Sequence, residues 1–374
     1  MKSKFSIAVV LLFAVLTGCI GGTEVKPLLE MKDQPFVLGG VSDLQQVAQL
    51  TGEASPNKTD KYVVYGTDLG SMINVKKKTY FVFGDTFGEK NPSLTGAGGS
   101  FWRSNVMAYT TDKNPADGIA FDGMITDDFG LAKELLPSKK ADFDEMTKIP
   151  THGVYANGAL YLYFMSVNHW GAPGEWDANY AGVGKSTDEG QNWTLLDGLT
   201  WPGDSNFIQV SPYKVQNRQG ESEIYFWSIP SGRFGGVKLM KVNEKKIEQM
   251  DAYVYFAGTD KAGMPIWDNN MSKAELIVDD DVGELSVVWN TYLERWLMTY
   301  SKEGAVVIRE GLTPWGPWGE PMEVVKAADY PGLYAPYMNE RYVEDDGKTI
   351  YFSLSLWEPY NVFWFKASLE RKQS

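Results

Sequence analysis

The sequence predicts an all-β protein, a five-bladed β-propeller, and three observations support this prediction. Helical periodicity is scarce, whereas short β-branched and aromatic runs bounded by Gly, Pro, Asn and Asp dominate. Each repeat holds a strand, a turn, a second strand and then a third, which is typical of a small antiparallel sheet. One apolar strand recurs five times at intervals of 55 to 81 residues, anchored on Tyr80, Tyr161, Tyr225, Trp296 and Tyr351.

The five apolar runs are almost continuously hydrophobic, so both faces of each strand are expected to be buried between neighbouring sheets. A β-sandwich with an accidental repeat is the alternative. A strand near Pro35–Leu38 is expected to complete the last blade. The segment from Ser186 to Trp193 resembles the Asp-box turn of sialidase-like propellers, S-x-D-x-G-x-x-W, which we interpret as a structural turn and not a catalytic site.

The N-terminus has the features of an export signal. Residues 1–18 combine two lysines with a 14-residue apolar run from Phe5 to Gly18, and Leu16-Thr17-Gly18-Cys19 matches a lipoprotein cleavage site. We therefore expect lipidation at Cys19, a linker over residues 19–34 and a single propeller domain over residues 35–374. The protein would be exported and anchored to the cell membrane or outer membrane only through this lipid, with the propeller outside the cytoplasm.

Composition and charge exclude several classes of function. The 374 residues carry 35 Lys and Arg against 48 Asp and Glu, a net charge of −13, so a nucleic-acid partner is not expected. Cys19 is the one cysteine and the two histidines are His152 and His169, which excludes a thiol nucleophile and a multi-histidine metal site. We expect that no cofactor is required, although the surplus of acids would allow a structural Ca²⁺ ion whose ligands are unknown. We also expect a monomer.

Strand ends identify the candidate site. A hairpin returns to the side where it started, so the residue that opens a blade's first strand and the one that closes its second share a face of the propeller. In the first repeat these residues are Asp68 and Asp85, in Gly-flanked turns. Polar and aromatic residues occupy matching positions in all repeats, and the candidates among them for substrate binding are Arg103, Asn105, His152, Trp170, Gln209, Arg233, Tyr334 and Trp357.

Aromatic rings beside carboxylates favour a carbohydrate ligand, because rings stack on C–H faces while carboxylates bind hydroxyls. Glycoside hydrolysis needs two carboxylates, one as general acid and one as base or nucleophile. One of Asp68 and Asp85 would remain charged, and the other, or Glu284 at the start of a later strand, would hold the proton. Each of these acids could instead cap a turn, and Arg103 and Arg233 could be structural partners for them.

Six segments resemble the family known as domain of unknown function 4185. In chain order they are GTDLG, FGDTFG, WRSN, THGVY…NGALYLYFMS, GKSTDEGQNW and YAPYM, and the resemblance covers about residues 41–369. The resemblance implies a five-bladed propeller. Some members of the family are endo-acting D-arabinofuranases of glycoside hydrolase family 183, which cut D-arabinan. The resemblance makes Asp68 and Asp85 the expected catalytic carboxylates, and it makes Arg103, Asn105 and His152 expected substrate contacts.

Two hypotheses of function follow. The first is a surface-anchored glycoside hydrolase that cleaves furanosidic linkages in a polysaccharide, with an arabinan as the expected substrate. The second is a non-catalytic glycan-binding propeller lipoprotein, which needs the same aromatic residues but no pair of mutually positioned acids. A structural propeller that serves as a protein-interaction platform is a third reading; it predicts an exposed apolar patch on the face, which the acidic mouth does not suggest.

Overall fold

A computed structural model describes residues 34–373 of the chain apart from residues 90, 92, 173, 218 and 234. The predicted signal peptide, Cys19 and the predicted linker up to residue 33 lie outside the described residues. Within the described ranges, no helix is both long enough and apolar enough to cross a membrane.

The strands form five sheets around a ring. The first strand is β1 (Leu38–Gln49). Blade one holds β2 (Leu69–Val75), β3 (Lys78–Phe83), β4 (Val106–Thr110) and β5 (Gly123–Met124). Blade two holds β6 (Thr147–Ala156), β7 (Ala159–Trp170), β8 (Trp176–Ser186), β9 (Thr194–Leu195) and β10 (Trp201–Pro202). Blade three holds β11 (Gln209–Gln216), β12 (Ser222–Ile229), β13 (Val237–Asn243), β14 (Val254–Thr259), β15 (Pro265–Asp268) and β16 (Leu276–Val278).

Blade four holds β17 (Leu285–Asn290), β18 (Arg295–Lys302), β19 (Ala305–Gly311) and β20 (Met322–Lys326). Blade five holds β21 (Leu333–Glu344), β22 (Thr349–Leu356) and β23 (Asn361–Arg371). Short 3₁₀ helices cover Thr59–Tyr62, Glu244–Lys246, Met250–Ala252, Met271–Lys273 and Asp345–Gly347. The predicted all-β, five-bladed propeller is confirmed, and each recurring apolar run is the second strand of its blade.

The ring closes through the N-terminal strand. Strand β1 pairs antiparallel with β23, so it forms the outer edge of the sheet ordered β1-β23-β22-β21. The expected closing strand lies in this region, but it begins at Leu38 and runs to Gln49. Glu310 of blade four accepts hydrogen bonds from the backbone N–H groups of Val37 and Leu38 and forms a buried ion pair with Arg295 at 2.9 Å. This contact ties the start of β1 to the neighbouring blade.

Aromatic rings fill the spaces between adjacent blades. The rings of Tyr163 in blade two and Phe226 in blade three have centroids 4.9 Å apart, and those of Trp227 and Trp296 join blades three and four at 5.2 Å. These rings are buried, so packing between sheets accounts for the continuous hydrophobicity of the second strands. The rigid packing holds the strand ends of all five blades around one mouth.

The Asp-box segment is a turn between β8 and β9. Asp188 Oδ1 accepts hydrogen bonds from the Ser186 hydroxyl at 2.8 Å and from the Asn192 backbone N–H at 2.9 Å. The Trp193 indole N–H donates to the carbonyl of Gly190 at 2.8 Å. The Ser, Asp and Trp side chains that define the motif are therefore used within the turn itself.

Candidate active site

Asp68 and Asp85 lie at the same end of blade one because of the hairpin that joins their strands. Asp68 directly precedes β2, and Asp85 follows β3 by one glycine, Gly84. The Gly84 N–H donates to the carbonyl of Asp68 at 3.1 Å. Leu69, the next residue, has a left-handed backbone with φ 67°, which is costly for a side-chain-bearing residue and is typical of functional sites.

The Asp68 carboxyl is held by neutral partners. Its Oδ2 accepts a hydrogen bond from the Tyr334 hydroxyl at 2.9 Å, and its Oδ1 is buried without a donor among the described residues. A Cβ on Gly84 would lie 2.4 Å from Oδ1, so a glycine is needed there. Burial is the largest cause that raises the pKa of Asp68, and the nearby charge of Asp85 adds to the rise. The resulting pKa is about 8.

Asp85 is buried beside it and receives two hydrogen bonds on one oxygen. The Trp102 indole N–H and the Thr147 hydroxyl donate to its Oδ1 at 2.7 and 2.6 Å. Burial raises the pKa of Asp85 to about 7, while these two donors and the positive charge of Lys140 oppose the rise. The Tyr360 hydroxyl donates to the backbone carbonyl of Asp85 at 3.1 Å. Two coupled acids therefore titrate near neutral pH.

Glu284 and Arg233 form another part of the wall of the site. The Arg233 guanidinium donates to Glu284 Oε1 at 2.7 Å from Nη2 and 3.3 Å from Nε. The guanidinium also lies over the ring of Tyr334 at 5.4 Å and that of Trp176 at 5.7 Å. The pKa of Arg233 is raised, because the attraction of Glu284 outweighs the effect of burial. The charge of Glu284 adds to the rise in the pKa of Asp68.

These walls enclose a cavity of about 830 Å³ at the mouth of the propeller. Aromatic rings make up much of its lining, and Trp170 and Trp357 at its rim are 37% and 46% exposed. A cavity of this size, with a few polar groups converging on an apolar lining, is typical of small-molecule and glycan sites. The aromatic residues of the lining are Phe87, Trp102, Trp170, Trp176, Tyr334, Tyr337, Trp357 and Tyr360.

Eight of the eleven predicted site residues line this cavity: Asp68, Asp85, Glu284, Trp170, Gln209, Arg233, Tyr334 and Trp357. Gln209 has a supporting position, because its amide donates to the carbonyls of Pro230 and Gly232 in the loop that carries Arg233. The strand-end argument thus placed most of the candidates on one face.

Arg103, Asn105 and His152 are not among the residues that line the cavity. The Arg103 guanidinium donates to the carbonyls of Val63 and Ala132, at 2.5 and 3.1 Å. The Asn105 amide donates to two carbonyls, at 3.0 and 2.9 Å, and its oxygen accepts two backbone N–H groups. Both side chains are buried and join loops of blade one to their surroundings.

His152 lies one layer beneath the cavity. Its ring contacts Tyr337 edge-on with centroids 6.0 Å apart, and its Nδ1 lies 2.9 Å from the N of Gly153, which donates to it. Burial lowers the pKa of His152 to about 4, so the imidazole is neutral at physiological pH. Its contact with the cavity is indirect, through the ring of Tyr337.

The predicted site residues do not include four residues of the site, Trp102, Thr147, Trp176 and Tyr360, although the third strand that begins near Trp102 is expected on this face. Trp102 is the first residue of the WRSN segment, and Tyr360 directly precedes β23, so both stand at third-strand starts on the mouth face. Applying the strand-end rule to every third strand would have found them. Thr147 opens β6 and so stands at the same end, but its residue type gives no functional signal, because a threonine at the start of a buried strand is ordinary.

No group of three or more His, Cys, Asp or Glu side chains within the described ranges is placed to hold a metal ion. The expectation of a structural Ca²⁺ ion therefore stays a prediction.

Fold and site together define a five-bladed propeller with an aromatic-lined, carboxylate-bearing cavity at its mouth. The chain belongs to the family described as domain of unknown function (DUF4185), whose model matches residues 54–366. This match covers most of the chain and confirms the resemblance. No curated protein matches the chain.

Solved structures share the fold at low sequence identity. A Bacteroides ovatus protein assigned as a hydrolase is 10% identical, with a TM-score of 0.54 over 92% of this chain and 97% of that one. The exo-β-1,3-galactanase of Phanerochaete chrysosporium, in complex with galactose, is 8% identical, with a TM-score of 0.50 over 88% of this chain and 65% of that one. At these identities the similarity shows a shared propeller fold alone.

Proposed function

We propose that the protein is a glycoside hydrolase that cleaves a polysaccharide through Asp68 and Asp85. One observation carries this proposal: two carboxyls that the β2–β3 hairpin brings to the same end of blade one line the same cavity, and their pKa values are raised to about 8 and about 7. Purely structural acids are usually paired with cations, whereas acids poised near neutral pH are typical of general acid–base catalysis.

The two acids differ in the roles that their surroundings favour. Near pH 7.5, Asp68 holds its proton and is the general acid that protonates the oxygen of the leaving sugar. Asp85 loses its proton first, because Trp102 and Thr147 donate hydrogen bonds to its charged form. It then acts as the base that activates water or as the nucleophile.

Glu284 and Arg233, which also line the cavity, support this chemistry. Their ion pair presents charged donors and an acceptor to sugar hydroxyls. Glu284 also adds negative charge that helps Asp68 keep its proton. We assign the pair to substrate binding and to the electrostatics of Asp68, with Glu284 as the alternative charged carboxylate.

The proposed substrate is a furanose-containing polysaccharide, in the first place an arabinan. The family resemblance supports this choice, because it implies relatives that cut D-arabinan, and the galactanase similarity supports a glycosidase in general. Export and lipidation at Cys19 would place the enzyme at the cell surface, where such polymers occur. These assignments rest on the resemblance and on the N-terminal sequence.

The test is product formation by the purified protein on arabinans, other furanosides and common plant glycans. Oligosaccharide release from one substrate is expected, with activity reduced at least about 100-fold by Asp68→Asn or Asp85→Asn. Asp128→Asn, an exposed residue of a blade-one loop, is the matched control and should retain activity. Full activity in both cavity variants would overturn the site assignment.

A non-catalytic glycan-binding propeller is the second candidate, favoured by the exposed tryptophans Trp170 and Trp357 at the rim. It predicts binding of a glycan without any product. It also predicts that Asp68→Asn and Asp85→Asn leave the affinity largely unchanged, because aromatic stacking would carry most of the binding.

A further inference from the structure

A second aromatic surface lies outside the cavity, on the loop that precedes β6. Phe143 in this loop is 72% exposed and has a left-handed backbone with φ 59°. Its N–H donates to the carbonyl of Asn168 at 3.0 Å, and the Ala141 N–H donates to the carbonyl of Glu145 at 3.1 Å. A left-handed backbone is costly for a bulky residue, and exposing an apolar ring to water is also unfavourable. The turn therefore holds the Phe143 ring outward at a cost in free energy.

The Phe143 ring is supported from one side. It stacks on the imidazole of His169, with centroids 4.1 Å apart and planes 13° from parallel. His169 is held in turn by Asp142, whose Oδ1 lies 2.7 Å from the imidazole Nδ1. The support covers one face of the phenyl ring and leaves the ring as a rigid, exposed platform.

The platform and the cavity share one hairpin. His169 and Trp170 are consecutive residues of β7, so their side chains point to opposite faces of the β7–β8 ribbon. Trp170 lines the cavity and contacts Trp176 at 5.9 Å, whereas His169 supports Phe143 on the other face. A polymer that leaves the cavity over this hairpin would meet the platform.

We propose that Phe143, His169 and Asp142 form an accessory binding site for a sugar unit of the polysaccharide, outside the cavity that holds the cleaved bond. The proposal rests on the proposed function. The free face of the ring stacks on sugar C–H groups, while the Asp142 carboxylate accepts hydrogen bonds from hydroxyls.

The surroundings favour a neutral glycan over other partners. Asp177, an exposed acid, lies opposite His169 in the β7–β8 pair, and Asp142 is part of the platform. Asp144, in contrast, is paired with Lys139 at 2.6 Å. The charges of Asp142 and Asp177 disfavour an anionic membrane surface or a nucleic acid. A single ring is also too small an apolar area for a stable protein interface. A polyhydroxylated, uncharged chain needs no more than this ring and its polar neighbours.

The experiment measures the affinity of the full protein for soluble arabinan by retardation in an arabinan-containing gel. The same protein is assayed for cleavage of arabinan and of an arabinan tetrasaccharide. Phe143→Ala is expected to weaken arabinan binding about three- to tenfold and to lower the ratio of polymer to tetrasaccharide kcat/KM similarly. Phe143→Tyr should keep both values, because the ring remains.

Phe129→Ala is the matched control, since Phe129 is 87% exposed and, within the described ranges, no aromatic ring stacks on it. It should bind and cleave as the unsubstituted protein does. The inference is overturned if Phe143→Ala binds arabinan normally, if Phe129→Ala loses as much, or if the unsubstituted protein does not bind arabinan. Binding that depends on Phe143 without any cleavage would instead overturn the proposed function alone.

Discussion

Asp68 and Asp280 are two enclosed aspartates of the same propeller whose pKa values move in opposite directions. Asp280 follows β16 and accepts hydrogen bonds from Lys302 at 2.5 Å, Arg309 at 2.7 Å and Tyr300 at 2.6 Å. These partners lower its pKa to about 2. Asp68 accepts from the Tyr334 hydroxyl, and its pKa is raised to about 8. Charged groups donate directly to the carboxylate at one site, whereas a tyrosine hydroxyl donates to it at the other.

The difference indicates what each site is for. Asp280 joins β16 to β18 and β19 through charged partners, which is the usual arrangement of a structural acid. At the mouth, the nearest arginine, Arg233, is paired with Glu284, and the groups that donate to Asp68 and Asp85 are hydroxyls and an indole. Neutral donors orient a carboxyl without fixing its charge, so the proton stays available for chemistry.

The first prediction tests this comparison through stability. The pKa of Asp68 lies above its unfolded value near 4, so folding retains a proton that the unfolded chain releases, and stability is lost as the pH rises from about 4 to about 8. Asp68→Asn removes this loss. We expect a free energy of unfolding about 1–3 kcal/mol higher at pH 8, with no gain at pH 4.

Thermal unfolding followed by circular dichroism at both pH values measures this effect, with Asp128→Asn as the control at an exposed site. A lower Tm for Asp68→Asn at pH 8 would mean that the carboxylate contributes to stability, contrary to the role of a strained catalytic acid.

The second prediction is the opposite change at Asp280. Its pKa is lowered, so its charged form contributes stability above pH 4 that is lost as the pH falls towards 2. Asp280→Asn should lower the free energy of unfolding at pH 7 by about 1–2 kcal/mol, since Arg309 and Lys302 lose their partner. Glycan cleavage at a temperature well below Tm should be unaffected, and a loss of activity at unchanged Tm would contradict the structural role.

The third prediction concerns the pH dependence of activity. With Asp85 as the charged group and Asp68 as the proton donor, kcat/KM should fall about tenfold per unit below pH 7 and again above pH 8. A rate profile from pH 4 to 10 measures both limbs. A maximum at pH 4–5 with little activity at pH 7.5 would exclude Asp68 as the general acid.

The strand-end rule predicted Asp68 and Asp85 because both acids belong to one hairpin, whose geometry follows from local sequence. The rule places Tyr334 at the same end of the propeller, but it does not show which partner donates to which carboxyl group. Thr147 comes from blade two, so its contact depends on how consecutive blades pack. Tyr334 and Tyr360 come from blade five, so their contacts depend on how the ring closes. The ring closes where β1, near the start of the described residues, pairs with β23, near their end.

The same rule also selected residues that do not line the cavity. Arg103 and Asn105 stand beside β4 at the mouth end, as predicted, but their side chains turn into the loops of blade one and bind backbone carbonyls. Strand position gives the end of the propeller at which a residue lies. The direction of its side chain depends on which buried carbonyls need a donor, and the sequence pattern does not encode that need.

The smallest expected effect is that of Trp102→Phe. Phenylalanine keeps the stacking on Phe87, whose centroid lies 6.1 Å away, but removes the indole N–H that donates to Asp85 Oδ1 at 2.7 Å. Because this hydrogen bond stabilises the charged carboxylate, its loss raises the pKa of Asp85. The low-pH limb of kcat/KM should therefore move up by about one pH unit, with the high-pH limb less affected.

Trp193→Phe is the matched control for this variant, because the Trp193 indole donates to the carbonyl of Gly190 within the Asp-box turn. Its pH profile should coincide with that of the unsubstituted protein. If the low-pH limb does not move in Trp102→Phe, that limb belongs to a group other than Asp85, and Glu284 becomes the charged carboxylate of the mechanism. A shift in Trp102→Phe alone would assign the limb to Asp85 and identify the indole as the donor that keeps it ionised near neutral pH.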